Sequence, residues 1–247
     1  MHLSNIYYAK HSSTSLIQEV QNIVYSKFNR PIDYYVEMTV DDYRAIVRET
    51  QDLLNEQEYV RGITQQIESD IKKYLQEDSF LIQTNLYFRA ARPFMKGDTE
   101  NVGWHRETFY GANMEKSINI WTPISNVGPN STLRYIPLSQ EIPEDEILLS
   151  QVGDPITKKG SDGHVVGFLY APKKIIGGVD LTTSEPMNVP EYHSSIFPGN
   201  LIHGAAKNSD STIRFSVDYR ILPLSAYDPL KSNNFHVASD KQYFEVY

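Results

Sequence analysis

The sequence contains no cysteine among its 247 residues. This absence excludes disulfide bonds, thiol nucleophiles, cysteine-ligated zinc and iron–sulfur clusters. A chain without disulfides suits a reducing compartment, so we expect a cytoplasmic location. Hydrophobic residues make up 40% of the chain and charged residues 22%, which is ordinary for a globular protein able to bury a sizeable core without covalent cross-links.

Basic charge and long apolar segments are also scarce. The formal net charge is −8, whereas a surface for nucleic acid or an anionic membrane needs a concentrated patch of positive charge. We therefore expect neither partner. No segment approaches the roughly 18 consecutive apolar residues of a membrane-spanning helix. The opening residues, MHLSNIYYAKHSS, lack the apolar stretch of a signal peptide, and none is expected.

The period of the hydrophobic pattern changes once along the chain. Up to about residue 78 the spacing is helical, with a helix start at Thr39-Val-Asp-Asp42, an earlier one at Ser15 and a third helix over about 62–76. From about residue 79 alternate residues are apolar and Gly/Pro turns separate short segments, which is typical of a sandwich or barrel. The predicted strands are 81–90, 117–124, 132–139, 164–171, 194–197 and 212–222.

The last of these strands has a polar face. Arg214, Ser216, Asp218 and Arg220 alternate with apolar residues, and shorter polar rows occur in 85–89 and 117–121. On alternation alone, a sheet with one face in solvent is the more common arrangement. The alternative is a barrel whose polar lumen holds a ligand.

The segment GWHRETFYG contains two groups that can bind a metal, His105 and Glu107. In a strand, residues i and i+2 share a face, so both side chains could bind one ion. A single His-x-Glu is a weak signal, because an ion pair or a hydrogen-bonded core histidine explains it equally well. His203 is the candidate third ligand, in a turn between Gly199 and Gly204.

Arg214 follows His203 by eleven positions, and Ser216 comes two residues later. An arginine on the inner face of a strand needs an anionic partner, since a buried unpaired charge is costly. For an isolated arginine a protein carboxylate such as Asp218 is the ordinary partner. The alternative partner is a bound carboxylate, which the planar guanidinium matches.

Taken together, these residues follow the order His-x-Glu, a long gap, His, then Arg-x-Ser. Two histidines and one carboxylate form the facial triad of non-haem Fe(II) oxygenases. The sequence resembles the Fe(II)/2-oxoglutarate-dependent dioxygenases of the phytanoyl-CoA hydroxylase superfamily over roughly residues 80–225. The segment Ile136-Pro-Leu-Ser-Gln140 is similar to a strand end of that family.

The resemblance implies a mainly β fold with α-helices: a double-stranded β-helix (jelly-roll, cupin-like) core at about 79–225. Residues 1–78 would form N-terminal supporting helices and residues 226–247 a C-terminal tail, all within one domain spanning residues 1–247. Two departures are visible. The carboxylate ligand is glutamate where aspartate is commoner, and Ala205 replaces a hydroxyl residue found in some relatives.

The resemblance also implies the cofactors Fe(II), 2-oxoglutarate and O₂. His105, Glu107 and His203 would ligate the iron. Arg214 would bind the distal carboxylate of 2-oxoglutarate with help from Ser216. The residues expected to line the cosubstrate site are Trp121 and Asn119.

The expected substrate is a small polar biosynthetic metabolite, derived from an amino acid or a sugar, and hydroxylation is the default outcome. Candidate substrate contacts are Asn85, Tyr87 and Arg89, and the segments 96–103 and 146–163 are candidate lids. Three alternatives remain open: a cupin-like metalloenzyme without 2-oxoglutarate, a carbohydrate-binding module, and a structural β-protein with chance spacing.

Overall fold

A computed structural model describes residues 6–95, 103–110, 114–125, 127–150, 174–205, 208–227 and 244–247. The mainly antiparallel sheet structure with helices matches the sequence prediction. The helices are α1 (Ser15–Lys27), α2 (Ile32–Glu37), α3 (Val40–Glu56), α4 (Tyr59–Gln66) and α5 (Glu68–Leu75). The strands are β1 (Tyr7–Lys10), β2 (Phe80–Gln83), β3 (Tyr87–Ala91), β4 (Ile118–Pro123), β5 (Leu133–Tyr135), β6 (Leu148–Leu149), β7 (Ile175–Gly177), β8 (Glu185–Pro186), β9 (His193–Pro198), β10 (His203–Ala205), β11 (Arg214–Pro223) and β12 (Phe244–Val246).

Helices α1 and α3 lie where predicted, the third predicted helix is divided, and α2 was not predicted. Helix α3 begins where predicted, because the Thr39 side chain accepts a hydrogen bond from the Asp42 amide at its first turn. The single helix predicted over 62–76 is two helices, α4 and α5, which meet at Ile67 with a non-helical φ of −127°. No helix of the described residues is long and apolar enough to cross a membrane.

The strand β1 was not predicted. It pairs antiparallel with β9, with Tyr7 opposite Ile196 and Lys10 opposite His193. Four residues at the edge of a sheet are too few to show a period of two, and the next element along the chain is a helix.

Most strands join one seven-stranded sheet with the order β1-β9-β4-β11-β2-β12. Strand β3 also pairs with β11, so that β2 and β3 lie end to end along the same long strand. Strands β10, β5 and β8 form a second sheet, and β6 pairs with β7. The sheets do not close into a barrel within the described residues. The strand predicted at 164–171 lies outside those residues.

The helices cover one face of the large sheet. Ile120, Val217 and Tyr219 from the sheet share an apolar cluster with Val20 and Val47 from the helices. Removing such side chains from water supplies about 1.5–3 kcal/mol each, so this layer contributes much of the drive to fold.

The opposite face of the large sheet contacts the small sheet. Trp121 and Phe197 of the large sheet pack with Leu133 and Met187 from the small-sheet side. All ten residues of β11 are buried. The solvent-facing interpretation of its polar row is therefore wrong: arginines and carboxylates lie between two sheets, where they need partners.

Candidate metal centre

Backbone pairing brings the two candidate histidine ligands together. His105 and His203 form an isolated antiparallel bridge with two reciprocal N–H to O hydrogen bonds of 3.0 Å. Their ring centroids are 4.3 Å apart. Residues that lie far apart in the sequence thus meet as a directly opposed cross-strand pair, whose Cβ atoms lie about 4.5–5.5 Å apart.

Glu107 lies close to both histidines, but its backbone conformation differs from the predicted strand. It begins a 3₁₀ turn, Glu107–Tyr110, rather than continuing a strand, and its amide donates to the Gly199 carbonyl at 2.7 Å. The prediction of one strand face is wrong in its geometry. The ligand atoms nevertheless converge: Glu107 Oε1 lies 3.7 Å from His105 Nε2 and 3.8 Å from His203 Nε2.

The three side chains form a compact and buried donor set. Their candidate ligand atoms all lie within 4.8 Å of one another. Glu107 is fully buried, and His105 and His203 are buried as well. Two imidazoles and one carboxylate are the donors that Fe(II) and similar divalent ions accept.

Hydrogen bonds orient both rings for metal binding. His105 Nδ1 lies 2.7 Å from the Gly103 carbonyl, and His203 Nδ1 lies 2.9 Å from the Leu201 carbonyl. A carbonyl accepts only, so each Nδ1 carries the proton and each Nε2 presents a lone pair to the cluster. Burial lowers the pKa of His203 to about 3, with a further lowering from His105, so this ring is neutral at pH 7.

A buried turn supports both ligand-bearing segments. The Ser139 hydroxyl accepts a hydrogen bond of 2.8 Å from the Ile202 amide, next to His203. Arg106, between the other two ligands, donates to the backbone carbonyls of Ser139 and Ile142. Ser139, from the segment Ile136–Gln140, therefore links the two segments that carry the candidate ligands and fixes their relative position.

Arg214 does not use the carboxylate expected for it. Asp218 accepts instead from Arg89 Nε at 2.8 Å and from Arg220 Nη1 at 2.5 Å. Arg214 Nε is buried with no hydrogen-bond partner among the described residues. Burial, followed by the nearby Arg89, lowers the pKa of Arg214 to about 10, so the guanidinium stays charged at neutral pH.

Two further polar side chains are also buried without partners in the described part of the chain. The Ser216 hydroxyl has none, and neither side-chain atom of Asn119 has one. Buried polar atoms in native proteins are normally satisfied by protein, water or ligand. Their placement on one face with Arg214 points to a polar group that binds there.

A cavity connects Arg214 and Asn119 to the two histidines. It contains about 390 Å³ of empty space, part of it open to solvent. Its lining residues are Arg89, His105, Asn119, Trp121, Leu133, Phe197, His203, Arg214, Asp218 and Arg220.

The remaining predicted site residues fall in different places. Tyr87 lies beside the cavity, its ring centroid 5.3 Å from the Arg89 guanidinium and 5.4 Å from that of Arg220. Asn85 lies outside the cavity, because the chain bends at Thr84–Asn85 between β2 and β3; it lines a separate depression. Most of the two candidate lid segments, 96–103 and 146–163, lies outside the described residues.

Sequence reasoning assigned no role to Arg220. The structure shows its Nη2 donating to Glu107 Oε1 at 2.6 Å. The polar alternation of β11 places Arg220 on the correct face. Its contact with Glu107, 113 positions away, leaves no local signal in the sequence.

Comparison with known proteins finds likeness in fold. No family model and no curated protein sequence matches the chain. Among solved structures, the epimerase SnoN in complex with Fe³⁺, α-ketoglutarate and nogalamycin RO is 12% identical, with a TM-score of 0.53 over 98% of this chain and 94% of that one. The chain shares that fold. The non-haem, α-ketoglutarate-dependent carbocyclase SnoK from nogalamycin biosynthesis is also 12% identical, with a TM-score of 0.51 over 98% and 92%.

Proposed function

We propose that the protein is a non-haem Fe(II)- and 2-oxoglutarate-dependent oxygenase related to the phytanoyl-CoA dioxygenase-like superfamily. One observation carries the proposal. The two histidines of a buried His-Glu-His cluster, whose ligand atoms lie within 4.8 Å of one another, line the same cavity as the buried Arg214, whose Nε has no partner among the described residues. A metal site beside a charged arginine suits a chelating dicarboxylate.

The donor set fits Fe(II). Both histidines present Nε2 to the cluster, and Glu107 supplies one negative charge. Three protein ligands on one side of an ion leave positions for a chelating cosubstrate and O₂. Fe(II) bound with 2-oxoglutarate and O₂ supplies an oxidant that removes hydrogen from a substrate, with release of succinate and CO₂.

Arg214 is the proposed partner for the distal carboxylate of 2-oxoglutarate. Its guanidinium can form a charge-assisted pair worth about 1.5–3 kcal/mol. Ser216 shares its face of β11 and offers a hydroxyl. We assign Asn119 and Trp121 to the same site because both line the cavity.

The fold supports this assignment. We infer that the seven-stranded and three-stranded sheets are the two halves of a double-stranded β-helix, with the ligands between them. SnoN and SnoK are α-ketoglutarate enzymes by their own descriptions. Their fold likeness adds support for a 2-oxoglutarate enzyme over a cupin-like metalloenzyme without that cosubstrate.

The proposed reaction is hydroxylation of a small polar biosynthetic metabolite. The cavity walls carry charged and amide groups beside Trp121, Leu133 and Phe197, which suits a compact substrate with both polar and apolar surface. Arg89, at the edge of this cavity, is the proposed polar contact. Epimerisation and ring closure begin with the same hydrogen removal, and analysis of products distinguishes them from hydroxylation.

The first experiment is an anaerobic titration of metal-free protein with Fe(II) and 2-oxoglutarate. Chelated cosubstrate gives a weak visible charge-transfer band, which we expect in the wild type. In Arg214→Met the half-saturating 2-oxoglutarate concentration should rise by about tenfold or more, as loss of a charge-assisted pair of about 1.5–3 kcal/mol requires. Fe(II) binding alone should change little.

The matched control is Arg61→Met, because Arg61 pairs with Glu245 on the surface, far from the cavity lining. It should bind 2-oxoglutarate like the wild type. Fe(II) binding without a band in the wild type would favour the cupin-like metalloenzyme. Absence of any divalent-metal binding would remove the enzyme proposal altogether.

A further inference from the structure

Arg220 makes an ion pair with the candidate metal ligand Glu107. Its Nη2 lies 2.6 Å from Glu107 Oε1, and its Nη1 lies 2.5 Å from Asp218 Oδ2. The side chains of Arg220 and Glu107 are 3% and 0% exposed. Charge pairs so well shielded from water interact far more strongly than pairs on the surface.

The contacted oxygen is the one that faces the histidines. Glu107 Oε1 is the atom lying 3.7 and 3.8 Å from the two Nε2 atoms. A carboxylate oxygen has two lone pairs, so Oε1 can accept from Arg220 on one side and ligate an ion on the other. Glutamate has one more rotatable bond than aspartate, and a hydrogen bond to Oε1 holds this longer side chain towards the ligand cluster.

The guanidinium is itself fixed in place. Asp218 accepts from Arg220 and from Arg89, which forms a chain of alternating charges from the cavity edge to Glu107. Tyr87 lies against the guanidinium groups of both arginines. Arg220 therefore cannot move away from Glu107 without breaking its contacts with Asp218 and Tyr87.

An ionised carboxylate is very costly to bury without a positive charge near it, and otherwise takes up a proton. When a divalent ion is bound, the ion supplies this charge; when none is bound, Arg220 does. The two cations also repel each other across Glu107, so each weakens the other's hold on the carboxylate.

We propose that Arg220 is a resident counter-ion of Glu107, a positioning residue that keeps the ligand cluster assembled without metal and lowers its affinity for the metal. This inference rests on the proposed function only in taking Glu107 as a ligand. Its consequence is a metal site that is formed before the ion arrives and that releases the ion more readily than its donors alone would allow.

The test compares Arg220→Met with the wild type using Co(II) alone, without 2-oxoglutarate. We expect the metal-free variant to melt at a lower temperature, because Glu107 and Asp218 lose a shared partner. We expect its Co(II) dissociation constant to fall by about tenfold, which corresponds to about 1.4 kcal/mol. Co(II) should also restore most of the lost melting temperature. The surface variant Arg61→Met should match the wild type in all three measurements.

The conservative variant Arg220→Lys separates charge from packing. It keeps the positive charge, so its Co(II) affinity should stay within about threefold of the wild type, even where Arg220→Met does not fold. An unchanged or weaker Co(II) affinity in a folded Arg220→Met variant would overturn the inference. So would a tenfold gain in affinity in Arg220→Lys. Wild type that binds no Co(II) would instead refute the metal centre itself.

Discussion

Burial, more than position along the chain, sets the behaviour of the histidines. His11 lies near the N-terminus, where a solvent-exposed side chain is the usual expectation, yet it is 4% exposed. Its Nε2 lies 2.8 Å from the Ser194 hydroxyl, which in turn lies 2.6 Å from the Thr122 hydroxyl. Burial, with a smaller effect of His193, lowers the pKa of His11 to about 4.

This pKa gives a prediction for acid stability. In the unfolded chain His11 takes up a proton near pH 6.5, its ordinary pKa, but in the folded protein only near pH 4. The unfolded state therefore binds more protons between these values, and the free energy of unfolding decreases as the pH falls from 6.5 to 4. Above pH 6.5 His11 is neutral in both states, so it adds no pH dependence to the free energy of unfolding.

The variant His11→Gln should weaken that dependence. Glutamine can still hydrogen-bond Ser194 but does not titrate, so the slope of unfolding free energy against pH should be smaller than in the wild type over pH 4–6.5. Urea unfolding at several pH values measures the slope. His203 contributes a slope of the same sign in both proteins, so only the difference reports on His11. Equal slopes would show that His11 is protonated alike in both states.

At the scale of secondary-structure elements, the first turns of α1 and α3 can be compared, because a threonine precedes each helix but only one of them caps it. Thr39 caps α3 through its side chain, accepting from the Asp42 amide at 3.2 Å. Thr14 occupies the same position before α1 but makes no side-chain cap hydrogen bond. Thr39→Ala should cost about 1 kcal/mol of unfolding free energy, whereas Thr14→Ala should cost much less. Denaturant melts of both variants test this, and equal losses would mean that the Thr39 hydroxyl does not stabilise α3.

The sequence predicted where the main strands lie better than it predicted where a strand is interrupted. Alternation identified β4 and β11 to within two residues, because each has a row of apolar residues against the helices, and β9 lies within one residue of its predicted bounds. The predicted strand 81–90 is interrupted at residues 84–86, where Asn85 is a turn-forming residue but the alternation of apolar residues shows no break. The 3₁₀ turn at Glu107 was likewise missed. Its hydrogen bond to Gly199 is a tertiary contact, invisible to local spacing.

For the whole molecule, metal binding should couple to stability. A ligand that binds only the folded state, at 100 times its dissociation constant, stabilises that state by about 2.7 kcal/mol. For a chain of this size we expect Co(II) to raise the melting temperature by about 5–10 °C. EDTA should reverse the rise.

The control for this coupling is His203→Ala, which removes one of the three candidate ligands. Its melting temperature should respond little to Co(II). A rise as large as in the wild type would place the bound metal elsewhere in the chain.

The cosubstrate and substrate assignments also belong to the scale of the whole molecule. Residue types in a set order predicted the three candidate metal ligands and Arg214. The structure clusters the three ligands and places His105, His203 and Arg214 on one cavity. It places Asn85 outside that cavity. The division of the chain into one domain with a C-terminal tail stays a prediction, as does the strand expected at 164–171.

Within β4 and β11 the sequence by itself determined which residues share a face, because side chains alternate strictly along a strand. It also determined the chemistry available, since a chain without cysteine offers histidine and carboxylate groups to a metal. Tertiary structure alone decided that the polar face of β11 is buried, because alternation defines two faces but does not say what covers them. It alone paired Arg220 with Glu107 and Asp218 with Arg89, because contacts between distant residues depend on how the sheets pack.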